Sequence, residues 1–244
     1  MKSSYFGSLH HHFLRFGLQQ LAGAGGSVLD MGCGGGAFSR LLKKMRPDLL
    51  IYGGDVNRAS LSRARQGFKG TEFVYADIYN IPFSSNSFDA VIILDLLEHL
   101  DSPGDALEEV RRVLKPNGIL YLSVPLEGDR SNLVGLLYYV FNLNLKSRTG
   151  HLQLFTRQQI FYLLQGSGFS IKSYWHIFHF FYQLVYLVYW WLPWRFIVLK
   201  ESSGRQESRY PWWLTVFSCL VNLESYLFSW WPGQTILIAA SRVG

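Results

Sequence analysis

Only two cysteines, Cys33 and Cys219, occur among 244 residues. That excludes a disulfide-stapled scaffold and leads us to expect a reducing, cytosolic compartment. Charge is scarce as well: 23 basic and 17 acidic residues make up 16% of the chain, for a net charge of +6, against 49% hydrophobic residues. A disordered chain needs the opposite balance. The stretch from Met1 to Gly17 has no apolar core and no small-residue cleavage pattern, so no secretory signal is expected there. No internal repeat is visible. There is no basic arm with interleaved aromatics, which speaks against nucleic acid as a partner. His10, His11 and His12 stand among Leu9, Phe13 and Leu14 and read as a helix face rather than as a metal site or tag remnant.

What is abundant is aromatic. Phe, Tyr and Trp number 18, 14 and 8. Half of them lie between Tyr174 and Trp231, and every tryptophan falls between Trp175 and Trp231. The chain is thus two compositions joined together.

The first composition alternates strand-like and helix-like segments. Val28-Leu29-Asp30 ends at a glycine cluster and is followed by a helical stretch from Ala37 to Met45. Leu49 to Gly54, ending at Asp55, predicts a second strand, and Ala59 to Gln66 a second helix. Glu72 to Ala76, ending at Asp77, predicts a third strand and Phe88 to Leu94 a fourth. Asp105 to Leu114 reads as a helix stopped by Lys-Pro-Asn-Gly, with a fifth strand from Ile119 to Val124. An uncharged helix is expected over Leu133 to Leu145 and a capped one over Thr156 to Gln165. Phe169 to Tyr174 and Gln234 to Ser241 supply two last strands. Strand–helix alternation with nearly continuous apolar strands predicts an α/β fold: a mostly parallel, Rossmann-like sheet with helices on both faces. Ligands of such sheets sit at the carboxyl ends of the strands, where the strand order reverses.

Those ends carry the chemistry. Val-Leu-Asp-Met-Gly-Cys-Gly-Gly-Gly (28–36) turns a strand into a helix, with Gly32, Gly34 and Gly36 letting backbone amides approach a ligand. Asp55, 19 residues past Gly36, stands where a carboxylate can accept ribose hydroxyls. Asp77 adds a third acid at the same edge. The Gly-x-Gly-x-Gly spacing differs from the Gly-x-Gly-x-x-Gly of pyrophosphate-binding dinucleotide sites, which disfavours a dehydrogenase.

VLDMGCGGGAF, GGDVN, YADIYNIPFSSNSFDAVIILDLLEHL and VLKPNGILYLSVP resemble, in order and spacing, the class I S-adenosylmethionine-dependent methyltransferases, in particular those of ubiquinone and menaquinone biosynthesis. The resemblance spans residues 25–175 and implies a seven-stranded sheet binding S-adenosylmethionine. Asp30 and the loop of Gly32, Gly34 and Gly36 would hold the methionine part, Asp55 and Val56 the ribose, Asp77 and Ile78 the adenine, and Leu94 the cofactor amino group through its backbone. The segment Asp95-Leu96-Leu97-Glu98-His99 resembles the acidic-x-x-Glu-His stretch of ubiquinone-pathway O-methyltransferases. That makes Asp95 and His99 candidate catalytic residues, and Asp95, Glu98 and His99 candidate metal ligands, although no metal is expected. His151 lies where relatives place a histidine over the pocket and is the general-base candidate. No Asn/Asp-Pro-Pro-aromatic motif follows FDAVIIL, so amino-directed nucleic-acid methylation is not expected.

The second composition, residues 175–233, is expected to be an apolar helical hairpin inserted before the last strand, with residues 1–174 and 234–244 forming the methyltransferase core. His176 to Leu192 has no Asp, Glu, Lys or Arg. A polar stripe of His176, His179 and Gln183 marks the first helix, and one of Thr215, Ser218, Asn222, Ser225 and Ser229 the second. The pairs Trp190-Trp191, Trp212-Trp213 and Trp230-Trp231 suit a membrane interface. Lys200 to Arg209 is a polar connector. Pro193, Arg195 and Glu224 favour a monotopic or re-entrant hairpin over two full spans. The expectation is methyl transfer to an oxygen of a hydrophobic, membrane-resident acceptor, at the cytoplasmic side of a membrane. The alternatives are a soluble O-methyltransferase using the hairpin as lid or dimer arm, and a non-catalytic methyltransferase-like partner subunit.

Overall fold

The structure, a computed structural model, describes residues 11–23, 25–66, 70–141, 150–179, 182–183, 220–221, 223–228 and 231–243. Seven strands form one sheet: β1 (Ser27–Met31), β2 (Leu50–Asp55), β3 (Thr71–Tyr75), β4 (Phe88–Leu94), β5 (Leu114–Pro125), β6 (Phe169–Ile177) and β7 (Thr235–Arg242). Their spatial order is β3-β2-β1-β4-β5-β7-β6. The first five run parallel, whereas β7 pairs antiparallel with both β5 and β6. The order reverses at β1, between β2 and β4, and the crevice of such a sheet opens at that point.

Along the central strands the side chains alternate between two cores, as a period of two requires. Val28, Ala90, Ile92 and Tyr121 face one side, and Leu29, Val91, Ile93, Leu120 and Leu122 the other. Each is 0% exposed, and each large aliphatic so buried contributes about 1.5–3 kcal/mol. Helices α1 (His11–Gln20) and α2 (Ala37–Met45) cover the first side. Helices α4 (Pro103–Val113) and α6 (Arg157–Gly166) cover the second, and α3 (Arg58–Arg65) packs at the β3 edge through Leu61 and Ala64 on Phe73. Local chemistry fixes where the helices begin. Asn57 accepts from the Ser60 amide ahead of α3, Pro103 opens α4, and Thr156 and Gln159 form a capping box at α6. The backbone of His11 and His12 opens α1, in keeping with the helix-face reading; His10 lies outside the described residues. The Tyr121 hydroxyl, reaching up from β5, donates to the Phe13 carbonyl at 2.8 Å and locks α1 down.

Strand positions follow the sequence closely, with three differences. Strand β5 starts at Leu114, directly after α4, because Asn117 takes a positive φ of 61° and carries the chain through the Pro-Asn-Gly turn within the strand. The uncharged helix, α5 (Leu133–Phe141), is described only as far as Phe141. The third difference is a correction at the hairpin. Strand β6 runs on to Ile177, and His176 pairs with Ile236 in the sheet rather than opening a helix. His176 is therefore a core residue; burial pushes it down to about 4, so it stays neutral.

Strands β6 and β7 are neighbours, which makes residues 178–234 a single excursion between them. Most of that excursion, including the connector and the first two tryptophan pairs, lies outside the described residues. Its described polar side chains turn inward. Gln183 accepts from the Val134 amide at 3.1 Å and donates to the Phe178 carbonyl at 3.0 Å, and the Ser225 hydroxyl accepts from the Phe178 amide at 3.2 Å. Several of its apolar side chains turn outward, Leu223, Tyr226, Leu227 and Trp231 each being 54–55% exposed, while Phe178 and Val221 are buried in the core. Among the described residues no helix is long and apolar enough to cross a membrane.

Candidate active site

The β1–α2 turn is built by glycine. Gly32, Gly34 and Gly36 have φ of 78°, 51° and 71°, a left-handed region that costs other residues about 1–2 kcal/mol. The amides of Gly32 and Cys33 donate to the Gly54 carbonyl at 2.8 and 3.0 Å, which fastens the loop to the end of β2. Gly36 packs inward, where an added Cβ would lie 2.5 Å from the Phe73 ring. It closes the turn rather than offering surface to a ligand. Gly34 and Gly35 face open space. The cleft beside the loop measures about 230 Å³ and is lined among others by Phe13, Asp30, Gly32, Gly35, Phe38 and Leu94.

Asp30 at the end of β1 is 2% exposed and accepts from the Ser39 hydroxyl of α2. Burial raises it to about 6, so the Ser39 contact and the nearby helix start are what hold it as an acceptor. Asp55 receives the Gly34 amide on one carboxylate oxygen and the Asn57 amide on the other, both at 2.7 Å. Each oxygen keeps a lone pair, as binding vicinal hydroxyls requires. Val56 beside it is 55% exposed, an apolar platform at the sheet edge. The Ala76 amide bonds the Asp55 carbonyl at 3.2 Å, so Asp77 stands next along that edge, where it caps the Tyr79 amide at 3.0 Å. Ile78 is 4% exposed and belongs to the core, so any ligand contact of its own would run through its backbone. Acids at the ends of three adjacent strands, around a glycine turn with room beside it, define a Rossmann-like domain for a nucleoside-containing cofactor.

The opposite wall carries a second group of polar residues. Asp95 follows β4 with a φ of 50°, held by the Ser123 hydroxyl, which donates to its carboxylate at 2.7 Å. Glu98, in the 3-10 turn Leu97–His99, is 1% exposed, and its Oε2 has no hydrogen-bond partner among the described residues. Burial first, then the nearby Asp95 and Glu127 carboxylates, raise it to about 8, so it is a neutral acid at pH 7. His151 Nδ1 meets Glu127 Oε2 at 2.8 Å, and its ring stands edge-on to His99 with centroids 4.9 Å apart. Glu127 is 1% exposed. Ligand atoms of Glu98, His99 and His151 lie within 4.8 Å of one another. The trio the structure assembles thus includes His151 and leaves out Asp95, whose carboxylate is turned to Ser123. Of the candidate ligands Asp95, Glu98 and His99, the structure groups the last two with His151.

Glu127, Ser39 and Ser123 escaped the sequence reading. Glu127 had a signal: it ends the apolar run of β5 just as Asp30, Asp55 and Asp77 end theirs. The two serines had none, because only the packing of α2 on β1 and of β5 on β4 brings them to their carboxylates.

Comparison with known proteins finds a methyltransferase domain in the same stretch of chain. Residues 29–122 match the family described as a methyltransferase domain. A demethylmenaquinone methyltransferase of Thermotoga maritima is 35% identical over 111 residues, covering 46% of this chain and 48% of that protein. A sterol 24-C-methyltransferase of Gibberella zeae is 30% identical over 167 residues, covering 66% of this chain and 43% of that one. The crystal structure of an S-adenosylmethionine-dependent methyltransferase from Mesorhizobium loti superposes with a TM-score of 0.60 at 16% identity, covering 98% of this chain and all of that one, which shows the shared fold. The chain spans less than half the length of these curated relatives. Residues 29–122 are thus matched as a methyltransferase domain, and the glycine cradle and the lone pairs of Asp55 fit S-adenosylmethionine as methyl donor.

Proposed function

We propose that this chain transfers a methyl group from S-adenosylmethionine to an oxygen of a hydrophobic, membrane-resident acceptor: a lipid, a prenylated quinone precursor or a polyprenyl-linked molecule. The observation that carries the choice of oxygen is the Glu127–His151 pair, at 2.8 Å, grouped with Glu98 and His99 of the turn that follows the cleft residue Asp95. The donor supplies a methyl group already activated on a sulfonium, so alignment of the acceptor accounts for most of the catalysis. With Nδ1 donating to buried Glu127, Nε2 is the basic nitrogen of His151 that takes the acceptor hydroxyl proton, and the carboxylate stabilises the imidazolium so formed. The oxygen then bonds to the methyl carbon as the carbon–sulfur bond breaks. Glu98, protonated, adds no negative charge beside the new alkoxide.

Support for a hydrophobic acceptor comes from two directions. The relatives named above act, by their names, on demethylmenaquinone and on a sterol. In the excursion the described polar side chains turn inward while Leu223, Tyr226, Leu227, Phe228 and Trp231 face outward. Leu136, Tyr139 and Val140 of α5 extend the apolar face at 44–60% exposure. The guanidinium of Arg130 lies 3.5 Å from the Tyr139 ring centroid, a place suited to anionic headgroups. This supports a position at the cytoplasmic side of a membrane, with the excursion that follows β6 embedded without spanning.

The test is transfer of labelled methyl from S-adenosylmethionine into the organic-soluble fraction of a total membrane lipid extract. Label is expected with the wild type and not with Asp55→Ala, with His151→Ala slower by about a hundredfold or more. Equal rates for His151→Ala and wild type would overturn the base assignment; absence of label with the wild type would overturn the acceptor class.

A further inference from the structure

A second cavity, of about 360 Å³, lies apart from the cofactor cleft, between the start of α5 and the end of the excursion. Leu133, Phe228, Trp231 and Pro232 give it apolar walls, with His179 and Gln183 among the polar groups lining it. An empty apolar cavity of ~150 Å³ already takes up benzene, and this one has room for about a dozen chain carbons at the ~30 Å³ of a water-sized group. Its mouth is bordered by the outward apolar residues Leu227, Phe228 and Trp231, each 46–55% exposed.

The buried Glu224 also lines the cavity and is not without a partner, and the two amide side chains of the wall are hydrogen-bonded. Both ends of the Gln183 amide are used, on Val134 and Phe178. Asn132 donates to the Leu126 carbonyl at 2.7 Å and accepts from the Gly135 amide at 2.9 Å. His179 is different. It is 3% exposed, and its Nε2 meets the Trp231 carbonyl at 2.9 Å. A carbonyl only accepts, so Nε2 carries the proton and Nδ1 is left as a bare acceptor. Burial lowers the affinity of this ring for a second proton. Nδ1 has no partner among the described residues. A buried acceptor without a donor costs ~1–3 kcal/mol, which a suitable ligand group recovers.

We infer that this cavity binds an elongated apolar molecule through a hydroxyl group that donates to His179 Nδ1. The site is separate from the cofactor cleft but continuous with its wall. Tyr182, next to Gln183, stacks on Phe178 with centroids 4.0 Å apart, and Phe178 meets Phe13 of the cleft at 6.0 Å. Asp95 and Glu127 lie close enough to Tyr182 to act on its hydroxyl.

Calorimetric titration of the full chain with 1-decanol and with its methyl ether, which cannot donate, tests this. The alcohol should bind saturably and about fivefold tighter than the ether, the worth of one hydrogen bond. His179→Phe should bring the two ligands to equal affinity, and Leu133→Trp, which fills the cavity, should abolish saturable binding of both. Equal affinity of alcohol and ether for the wild type would overturn the proposal, as would unchanged alcohol binding in both variants. S-adenosylmethionine is titrated in parallel and should bind all variants alike. Its failure to bind the wild type would strike the methyltransferase reading while leaving the hydroxyl site to be judged by the alcohol–ether comparison.

Discussion

Two adjacent glycines of the β1–α2 turn should respond in opposite ways to gaining a side chain. At Gly36, with φ of 71°, alanine would place its Cβ 2.5 and 2.6 Å from two Phe73 ring carbons and 3.1 Å from the Ala64 Cβ. Phe73 is 5% exposed and held between β3 and α3, so it cannot swing away. The left-handed backbone costs about 1–2 kcal/mol and overpacking about 1–3 kcal/mol, for a total of about 2–5 kcal/mol. At roughly 2–4 °C per kcal/mol for a chain of this length, Gly36→Ala should lower Tm by about 10 °C. Gly35 is different: no atom lies within 4 Å of an added Cβ, and the residue lines the cofactor cleft. Gly35→Val should leave Tm within a few degrees yet weaken S-adenosylmethionine binding about tenfold or more, because its methyls stand where the backbone must approach the ligand. Thermal melts and calorimetry on both variants check this. A Gly36→Ala variant as stable as wild type would refute the packing argument. A Gly35→Val variant with unchanged affinity would refute the placement of the cofactor along this loop.

Glu98 should make stability depend on pH. Burial raises it from 4.5 to about 8 in the folded chain. Between those values the folded state keeps a proton that the unfolded chain has released, so stability present below the lower value is lost as pH climbs through the higher one. At ~1.4 kcal/mol per pH unit the loss is at most roughly 5 kcal/mol. Glu98→Gln should flatten urea-denaturation midpoints across that window, and an unflattened profile would exclude Glu98 as the source. For the membrane reading, the wild type should float with vesicles containing anionic lipid, and Leu223→Glu with Leu227→Glu should reduce the bound fraction about tenfold or more, each leucine being worth ~1.5–3 kcal/mol when buried. A wild-type chain that stays at the bottom of the gradient would sink that reading.

Much of this protein could be read without coordinates, and the reasons are local. Central strands of a parallel sheet are buried on both faces, so FDAVIIL and VLDM announce themselves as uninterrupted apolar runs. Asp30, Asp55 and Asp77 stand out because each ends such a run, and the glycines of the first turn because no other residue accepts their backbone. Sequence did less well where an element's neighbours decide its form. His176 looked like the first polar position of an apolar helix, yet pairing with Ile236 draws it into β6.

The acceptor side was the least legible. Glu127, His151, His99 and Glu98 come from three separate stretches of chain, and only the return of residues 150–153 across the 3-10 turn, where the Leu152 and Gln153 amides bond the Glu98 carbonyl at 2.8 and 3.0 Å, brings them together. The sequence by itself determined the domain class, the strand-end acids and the concentration of aromatics before the last strand, because strand burial, turn geometry and composition are properties of contiguous residues. Which carboxylate backs His151, which glycine faces the cleft, and that His179 Nδ1 has no partner among the described residues were decided only by tertiary structure. Each depends on atoms brought together from distant stretches of the chain, and no periodicity encodes such a meeting.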